Sequence, residues 1–280
     1  MLETEREQVF GVDFSGASTP GGRIWITKGS VTECEGNSDP ILKIKSVRSA
    51  ADRFDVTDRE AVLAELCDFV SERTEAVFGF DFPFGLPHAV LETTDFSTWT
   101  EFVEGFKTAF GNENDEPKEF RQECAKRAGE DNPAYVRRET DWQRGGQCPY
   151  GNQIQYQIYF GISQLLAPLV TEERITVAPM QGVETGMPVL IETYPAAVFG
   201  RLGAYRQGYK DHDGAEKRRE RNLTYLETNG SLQICEECRN RAIASDDALD
   251  SLACVCGAWR AISDEAVIDP VCSREGWIYV

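Results

Sequence analysis

The sequence predicts an α/β fold in which a mixed five-stranded sheet carries flanking helices. Three strand-like segments near the start are joined by short connections, which predicts an antiparallel meander. The segment 76–81 is a short run that is apolar on both sides, as is typical of a central strand covered on both faces. The stretch from about 84 to 186 has helical patterns and separates core strands. We therefore expect one domain over 1–280 with a large helical insertion at about 84–186.

Alternation and turn residues indicate the elements of the meander. Strands are predicted at 8–15, 23–28 and 41–47, with a glycine-rich turn at 16–22 between the first two. Thr57 or Asp58 then has a side chain suited to cap a helix whose apolar residues continue at helical spacing to Val70. The chain therefore forms three strands and a helix before it reaches the apolar segment 76–81.

The remaining elements follow from helical periodicity and from buried-strand patterns. Within the insertion, helices are expected at 99–110, 117–128 and 154–169. A second buried strand at 189–192 leads into a helix that has Pro195 in its first turn. A charged helix at 213–228, an apolar helix at 245–259 and a strand at 275–280 are expected after it. The basic residues 217–221 are interpreted as a solvated face of the charged helix, with phosphate contact as the alternative.

The composition is strongly acidic, and this bounds the function. Asp and Glu number 47 against 29 Lys and Arg, which gives a formal charge of −18. Massed carboxylates with few lysines favour a protein from a salt-loving organism, because molar salt shortens the Debye length to about 3 Å and screens their repulsion. An ordinary acidic protein of a mesophile is the alternative. General electrostatic attraction for nucleic acid is excluded, so local arginines or metal ions must hold any phosphate. An acidic start and the lack of long apolar runs predict a cytoplasmic protein with no membrane partner.

The cysteines do not predict a disulfide framework or a zinc site. There are nine, and they are scattered through the chain. Cys235 and Cys238 have the spacing of a zinc half-site, and Cys254 and Cys256 follow nearby. The second pair lies in the predicted apolar helix, where residues two apart face opposite sides. We therefore expect buried thiols and no zinc.

Acidic residues stand where several core elements end or begin. Asp13, Asp81 and Glu192 each follow the apolar run of a predicted strand. Asp246 or Asp247 shares a face with Asp250 at the start of the apolar helix. Parallel strands bring their carboxyl ends to one edge of a sheet, so these acids should meet there. Each could be only a turn former or a helix cap, but together they predict a site for Mg²⁺ or Mn²⁺.

Short blocks at 12–16, 78–87, 191–196 and 246–252 resemble, in this order, the signature blocks of the domain-of-unknown-function family 429. That family is described as predicted nucleases with an RNase H-like fold. The resemblance implies metal-binding acids at Asp13, Asp81 and the last helix. Holliday-junction resolvases of that fold have a similar acid set that ends in an Asp-x-x-Asp helix, and Asp247 with Asp250 fits this spacing. Glu192 is expected to be a further ligand or a general base.

The insertion is expected to contribute substrate contacts. Arg137, Arg138 and Asp141 lie in a polar stretch that precedes a segment rich in glycine. Gln157 belongs to a run of amide and aromatic residues that could bind and stack on bases, although its tyrosines are better interpreted as core. Ser15 follows Asp13 in a loop that resembles the first phosphate loop of actin-like and sugar-kinase-like proteins.

Three functions remain open from the sequence. The first is a nuclease in which two Mg²⁺ or Mn²⁺ ions, bridged by Asp13, promote hydrolysis of a phosphodiester in nucleic acid. The second is a phosphotransferase or phosphohydrolase of the actin and sugar-kinase type, although such proteins need two copies of the core. The third is a non-catalytic protein that binds nucleic acid.

Overall fold

The fold is built on one mixed sheet. A computed structural model of the chain describes residues 7–32, 40–111, 117–129, 135–263 and 271–280. The described strands are β1 (Gln8–Asp13), β2 (Trp25–Thr32), β3 (Ile41–Ser49), β4 (Ala76–Phe80), β5 (Thr176–Val177), β6 (Val189–Thr193), β7 (Leu232–Gln233) and β8 (Ile278–Tyr279). Their order is β5-β6-β4-β1-β2-β3-β7, and β8 pairs with the second half of β6. The predicted α/β fold with a mixed sheet and flanking helices is thus confirmed.

The strand count differs from the prediction. The described sheet has eight strands rather than five. Of the three strands beyond five, β8 lies within the closing strand expected at 275–280, whereas the sequence does not predict β5 and β7. β5 and β7 have two residues each, too few to leave an alternating pattern in the sequence. The expected meander is present, because β1 pairs antiparallel with β2, and β2 with β3. β4 lies parallel to β1, and β6 lies parallel to β4.

Helices cover both faces of this sheet. On one face, α1 (Ala50–Phe54) and α2 (Arg59–Ser71) follow the meander. Of the two candidate caps, Asp58 is the N-cap of α2, and its Oδ1 accepts from the N–H of Ala61 at 3.0 Å. The same hydrophobic core contains the stacked rings of Phe10 and Phe78, 4.6 Å apart, together with residues of the helices between β4 and β6.

The segment between β4 and β6 is mainly helical. It contains α3 (His88–Leu91), α4 (Trp99–Phe110), α5 (Pro117–Arg127), α6 (Glu139–Arg144), α7 (Gln155–Gly161), a π turn (Ile162–Leu166), α8 (Ala167–Thr171) and β5. The helix expected at 154–169 is therefore divided by the π turn. Pro168 has no N–H and displaces the carbonyl of Gln164 from helical bonding. That carbonyl accepts instead from the thiol of Cys67 at 3.6 Å.

The opposite face carries α9 (Pro195–Leu202), α10 (Ala215–Thr228), α11 (Glu236–Ala244) and α12 (Asp246–Ser263), and α13 (Cys272–Glu275) precedes β8. α12 lies directly on the sheet at two glycines. A Cβ on Gly11 would lie 2.2 Å from the carbonyl oxygen of Ser251, and a Cβ on Gly79 would lie 2.7 Å from that of Cys254. The hydroxyls of Thr27 and Ser251, 2.7 Å apart, fix the same contact. This close approach brings the first turns of α12 to the ends of β1 and β4.

Within the described part of the chain, no helix combines the length and the apolar character that crossing a membrane requires.

Candidate metal centre

Three carboxylates meet where β1 and β4 end. Asp13 is the last residue of β1, and Asp81 directly follows β4. The register pairs Val12 with Phe80, and the N–H of Asp81 donates to the carbonyl of Val12 at 3.0 Å, so the two acids are neighbours. Asp250, in α12, supplies the third carboxylate. One oxygen from each lies within 4.8 Å of the others.

Burial and mutual repulsion disfavour three negative charges at this place. Burial, followed by the charge of Asp250, raises the pKa of Asp81 to about 8. The same two causes hold the pKa of Asp13 well above its usual value. Burial also raises the pKa of Asp250, although a neighbouring lysine, Lys210, opposes this. The cluster therefore retains protons unless a cation neutralises it.

The donor set fits a hard divalent cation. The three residues offer only carboxylate oxygens, which suit Mg²⁺ and Mn²⁺. Oxygens that bind one Mg²⁺ ion at about 2.0–2.1 Å are separated by at most about 4.2 Å, so three oxygens that lie within 4.8 Å of one another can bind one ion after small shifts of the side chains. Two of the three acids, Asp13 and Asp250, are buried, so an ion here would be held away from bulk water.

Asp247 stands one helical turn before Asp250. Its side chain is partly exposed and lies 3.7 Å from Arg23. Burial, with the charges of Asp246 and Asp250, raises its pKa to about 6. Asp247 lines the same cavity as the three clustered acids, but it is outside the group whose oxygens converge.

A tyrosine and a lysine that the sequence analysis missed also contact the cluster. The hydroxyl of Tyr209 donates to Asp250 Oδ1 at 3.0 Å, and Lys210 Nζ lies 2.7 Å from Asp250 Oδ2. Both residues belong to the loop between α9 and α10. The composition of this loop, rich in glycine and in aromatic and charged residues, was the one feature of the sequence that could have indicated them, since binding residues are concentrated on such loops. Nothing in the sequence indicates that this loop folds back onto α12.

The acids face a cavity of about 730 Å³. Ser15 and Gln157, both predicted to bind substrate, line it. Gln157 Nε2 donates to the carbonyl of Phe14 at 2.6 Å. A Cβ on Gly16 would lie 2.3 Å from the carbonyl of Tyr156, so the loop after β1 lies directly against α7. The insertion thus supplies one wall of the cavity.

Glu192 lies outside the cluster, and the sheet register explains why. It pairs with Phe80, and residues in register on neighbouring strands point to the same face. That face is the one opposite α12. There Glu192 is buried and receives two bonds from Arg138, at 2.7 Å (Nη1 to Oε2) and 2.5 Å (Nη2 to Oε1). The N–H of Phe84 adds a third at 2.9 Å.

Arg138 and Asp141 belong to this buried network. Arg138 has no exposed surface, and its guanidinium bonds Asp141 through Nε at 3.0 Å and Nη2 at 2.9 Å. Burial lowers the pKa of Arg138, but the carboxylates of Asp141 and Glu192 outweigh it and hold this pKa well above its usual value. The structure therefore gives these residues a buried ion-pairing role. With Glu192 they line a second, smaller cavity of about 60 Å³, which shares Asp81 and Gln157 with the first. Arg137, by contrast, is exposed and lies over the ring of Trp142 at 4.9 Å.

Comparison with known proteins agrees with the resemblance seen in the sequence. Residues 162–271 match the family described as "Protein of unknown function (DUF429)". The matched part includes Glu192, Asp247 and Asp250, whereas Asp13 and Asp81 precede it. No curated protein and no solved structure matches the chain.

Proposed function

We propose that this protein is a metal-dependent nuclease with an RNase H-like core. The observation that carries the proposal is the convergence of Asp13, Asp81 and Asp250, with oxygens within 4.8 Å, at the carboxyl ends of two parallel central strands. An antiparallel three-strand meander followed by two parallel strands, in the order β3-β2-β1-β4-β6, supports the assignment of the core.

Each acid has a distinct part in the proposed site. Asp13, which stands at the end of a central strand beside Asp81 and near Asp250, would be shared between two Mg²⁺ or Mn²⁺ ions. Asp247 faces the same cavity and would complete the second position. Divalent ions in such a site polarise a phosphoryl oxygen and supply an activated water. Ser15 and Gln157, on the cavity wall, would contact the nucleotide.

The test is cleavage of single-stranded, duplex and branched DNA and RNA in high salt, with and without Mg²⁺ or Mn²⁺. Asp13→Asn keeps the shape of the side chain but removes the charge that attracts the ions, so we expect it to abolish metal-dependent cleavage while folding is preserved. Asp95→Asn, at an exposed position, is the matched control and should cleave like wild type.

Two results would contradict the proposal. Cleavage that persists in Asp13→Asn would show that the acid cluster is not the catalytic site. Wild-type protein that cleaves none of these substrates but binds ATP would instead favour a phosphotransferase of the actin and sugar-kinase type.

A further inference from the structure

Arg23, Arg206 and Lys210 line the cavity, and among these described residues Lys210 is the one that pairs with a member of the three-acid cluster. Lys210 Nζ lies 2.7 Å from Asp250 Oδ2, and Lys210 lines the cavity. About half of the lysine side chain is exposed, whereas the carboxylate it contacts is buried. The ammonium group is therefore accessible from the cavity while it contacts one of the three converging acids.

Contacts with α9 and α10 hold the backbone around Lys210 in place. Arg219, in α10, donates from Nη1 to the carbonyl of Tyr209 at 2.8 Å, and Arg218 donates to the carbonyl of Gln207 at 3.2 Å. The ring of Tyr209 is buried against Phe199, with centroids 5.1 Å apart. Part of the basic cluster 217–221, interpreted from the sequence as a solvated face, thus holds this loop.

We propose that Lys210 binds a phosphate group of the substrate in this cavity and that it competes with a divalent ion for Asp250. The proposal rests on the proposed function, since it assigns the substrate group that the same site would hold. Lys210 would supply positive charge for the substrate phosphate, which the negatively charged acid cluster by itself would repel.

Charge and geometry give the physical reason. A divalent ion held by the three acids would need the oxygens of Asp250, one of which contacts the ammonium group. The two cations therefore attract the same oxygen and repel each other. Once an ion neutralises Asp250, the half-exposed ammonium group of Lys210 becomes available to an anion that enters the cavity. Lysine suits this part because its ammonium is a mobile point charge on a flexible stem.

The experiment measures two affinities on the full chain. Mn²⁺ is titrated into wild type and Lys210→Met, and inorganic phosphate is then titrated into each protein saturated with Mg²⁺, both by calorimetry. Removal of one positive charge about 5 Å from a divalent ion should tighten Mn²⁺ binding by about tenfold, even at the dielectric constant of water. Phosphate binding should weaken by about tenfold or more.

Controls separate charge from folding. Lys118→Met removes an exposed lysine in α5 and should leave both affinities within about twofold of wild type, because distant exposed charges are screened. Lys210→Arg keeps the charge and should remain closer to wild type than Lys210→Met does. Circular dichroism melts verify that each variant is folded.

The outcomes distinguish the two proposals. If wild type binds Mn²⁺ but Lys210→Met has unchanged Mn²⁺ and phosphate affinities, the role of Lys210 is refuted and the metal centre stands. If wild type binds no Mn²⁺, the metal centre is refuted, and the competition for Asp250 fails with it. Tighter Mn²⁺ binding together with weaker phosphate binding supports the proposal.

Discussion

The carboxyl group of Asp81 titrates near neutral pH, because burial and the charge of Asp250 raise its pKa to about 8. In the unfolded chain the same group loses its proton near pH 4. Between these values the folded protein holds more protons than the unfolded one, so its stability falls as pH rises. The raised pKa values of Asp13 and Asp250 act in the same direction.

We therefore predict that the Tm, measured without divalent ions in high salt, falls between about pH 5 and pH 8. Asp81→Asn should flatten this dependence because it removes one titrating group. Mn²⁺ should raise the Tm more at pH 8 than at pH 5, since the ion replaces the protons. Equal slopes for wild type and Asp81→Asn would show that the cluster is not the source of the pH dependence.

Substitution of Arg138 should lower the stability of the folded protein. Its guanidinium neutralises two buried carboxylates, those of Asp141 and Glu192. Arg138→Met leaves both charges unpaired, and loss of one partner of a buried ion pair costs about 3–5 kcal/mol of unfolding free energy. Urea denaturation should show this loss, whereas Arg137→Met, at the adjacent exposed position, should change stability by less than about 0.5 kcal/mol. A loss below about 1 kcal/mol for Arg138→Met would contradict a structural role.

The sequence alone identifies Asp13, Asp81 and Asp250 as candidate site residues because each stands at the boundary of a recognisable apolar strand or helix. Glu192 also follows an apolar strand, but its side chain points to the other face of the sheet. The face to which a strand residue points depends on the register with the neighbouring strand, and no sequence pattern specifies that register. Lys210 cannot be found in this way either, because its contact with Asp250 joins a loop and a helix 40 positions apart.

Among the elements, α12 has the strongest constraint on its position. Its backbone meets the sheet at Gly11, where a Cβ would lie 2.2 Å from both Ser251 O and Val255 N. Gly11→Ala must push the helix outward, so we predict a loss of about 1–3 kcal/mol in unfolding free energy. Because Asp250 would move away from Asp13, Mn²⁺ affinity should fall as well.

Gly22→Ala is the matched control for this variant, since nothing lies within 4 Å of its Cβ position. It should match wild type in both measurements. If Gly11→Ala also keeps wild-type Mn²⁺ affinity, the contact between helix and strand does not determine the geometry of the cluster.

Elements with strong local signals are the ones that a sequence specifies well. α4 occupies Trp99–Phe110, as predicted, because Thr98 and Glu101 form a capping box before an apolar face. The run 155–171 also has helical periodicity, but periodicity does not show how the chain adjusts to Pro168. The two-residue strands β5 and β7, which the sequence does not predict, are specified only by their partners in the sheet.

For the whole molecule, the charge of −18 predicts a dependence on salt. Repulsion among the excess carboxylates destabilises the compact state, and molar salt screens it. We expect the Tm to rise by about 5 °C or more between low salt and about 2 M KCl. Calorimetry in KCl at fixed pH is the measurement, and an unchanged Tm would contradict a halophilic adaptation.

The contact between β1 and α12 also has a consequence for the order in which the protein is made. A ribosome that has synthesised β1 and β4 has made both Asp13 and Asp81, which are neighbours in the folded sheet, but Asp250 is added about 170 residues after Asp81. At about 5–20 residues per second, the strands wait at least several seconds for their covering helix. A truncated chain that stops before α12 lacks Asp250, so the three-carboxylate cluster is complete only on chains whose synthesis has passed residue 250.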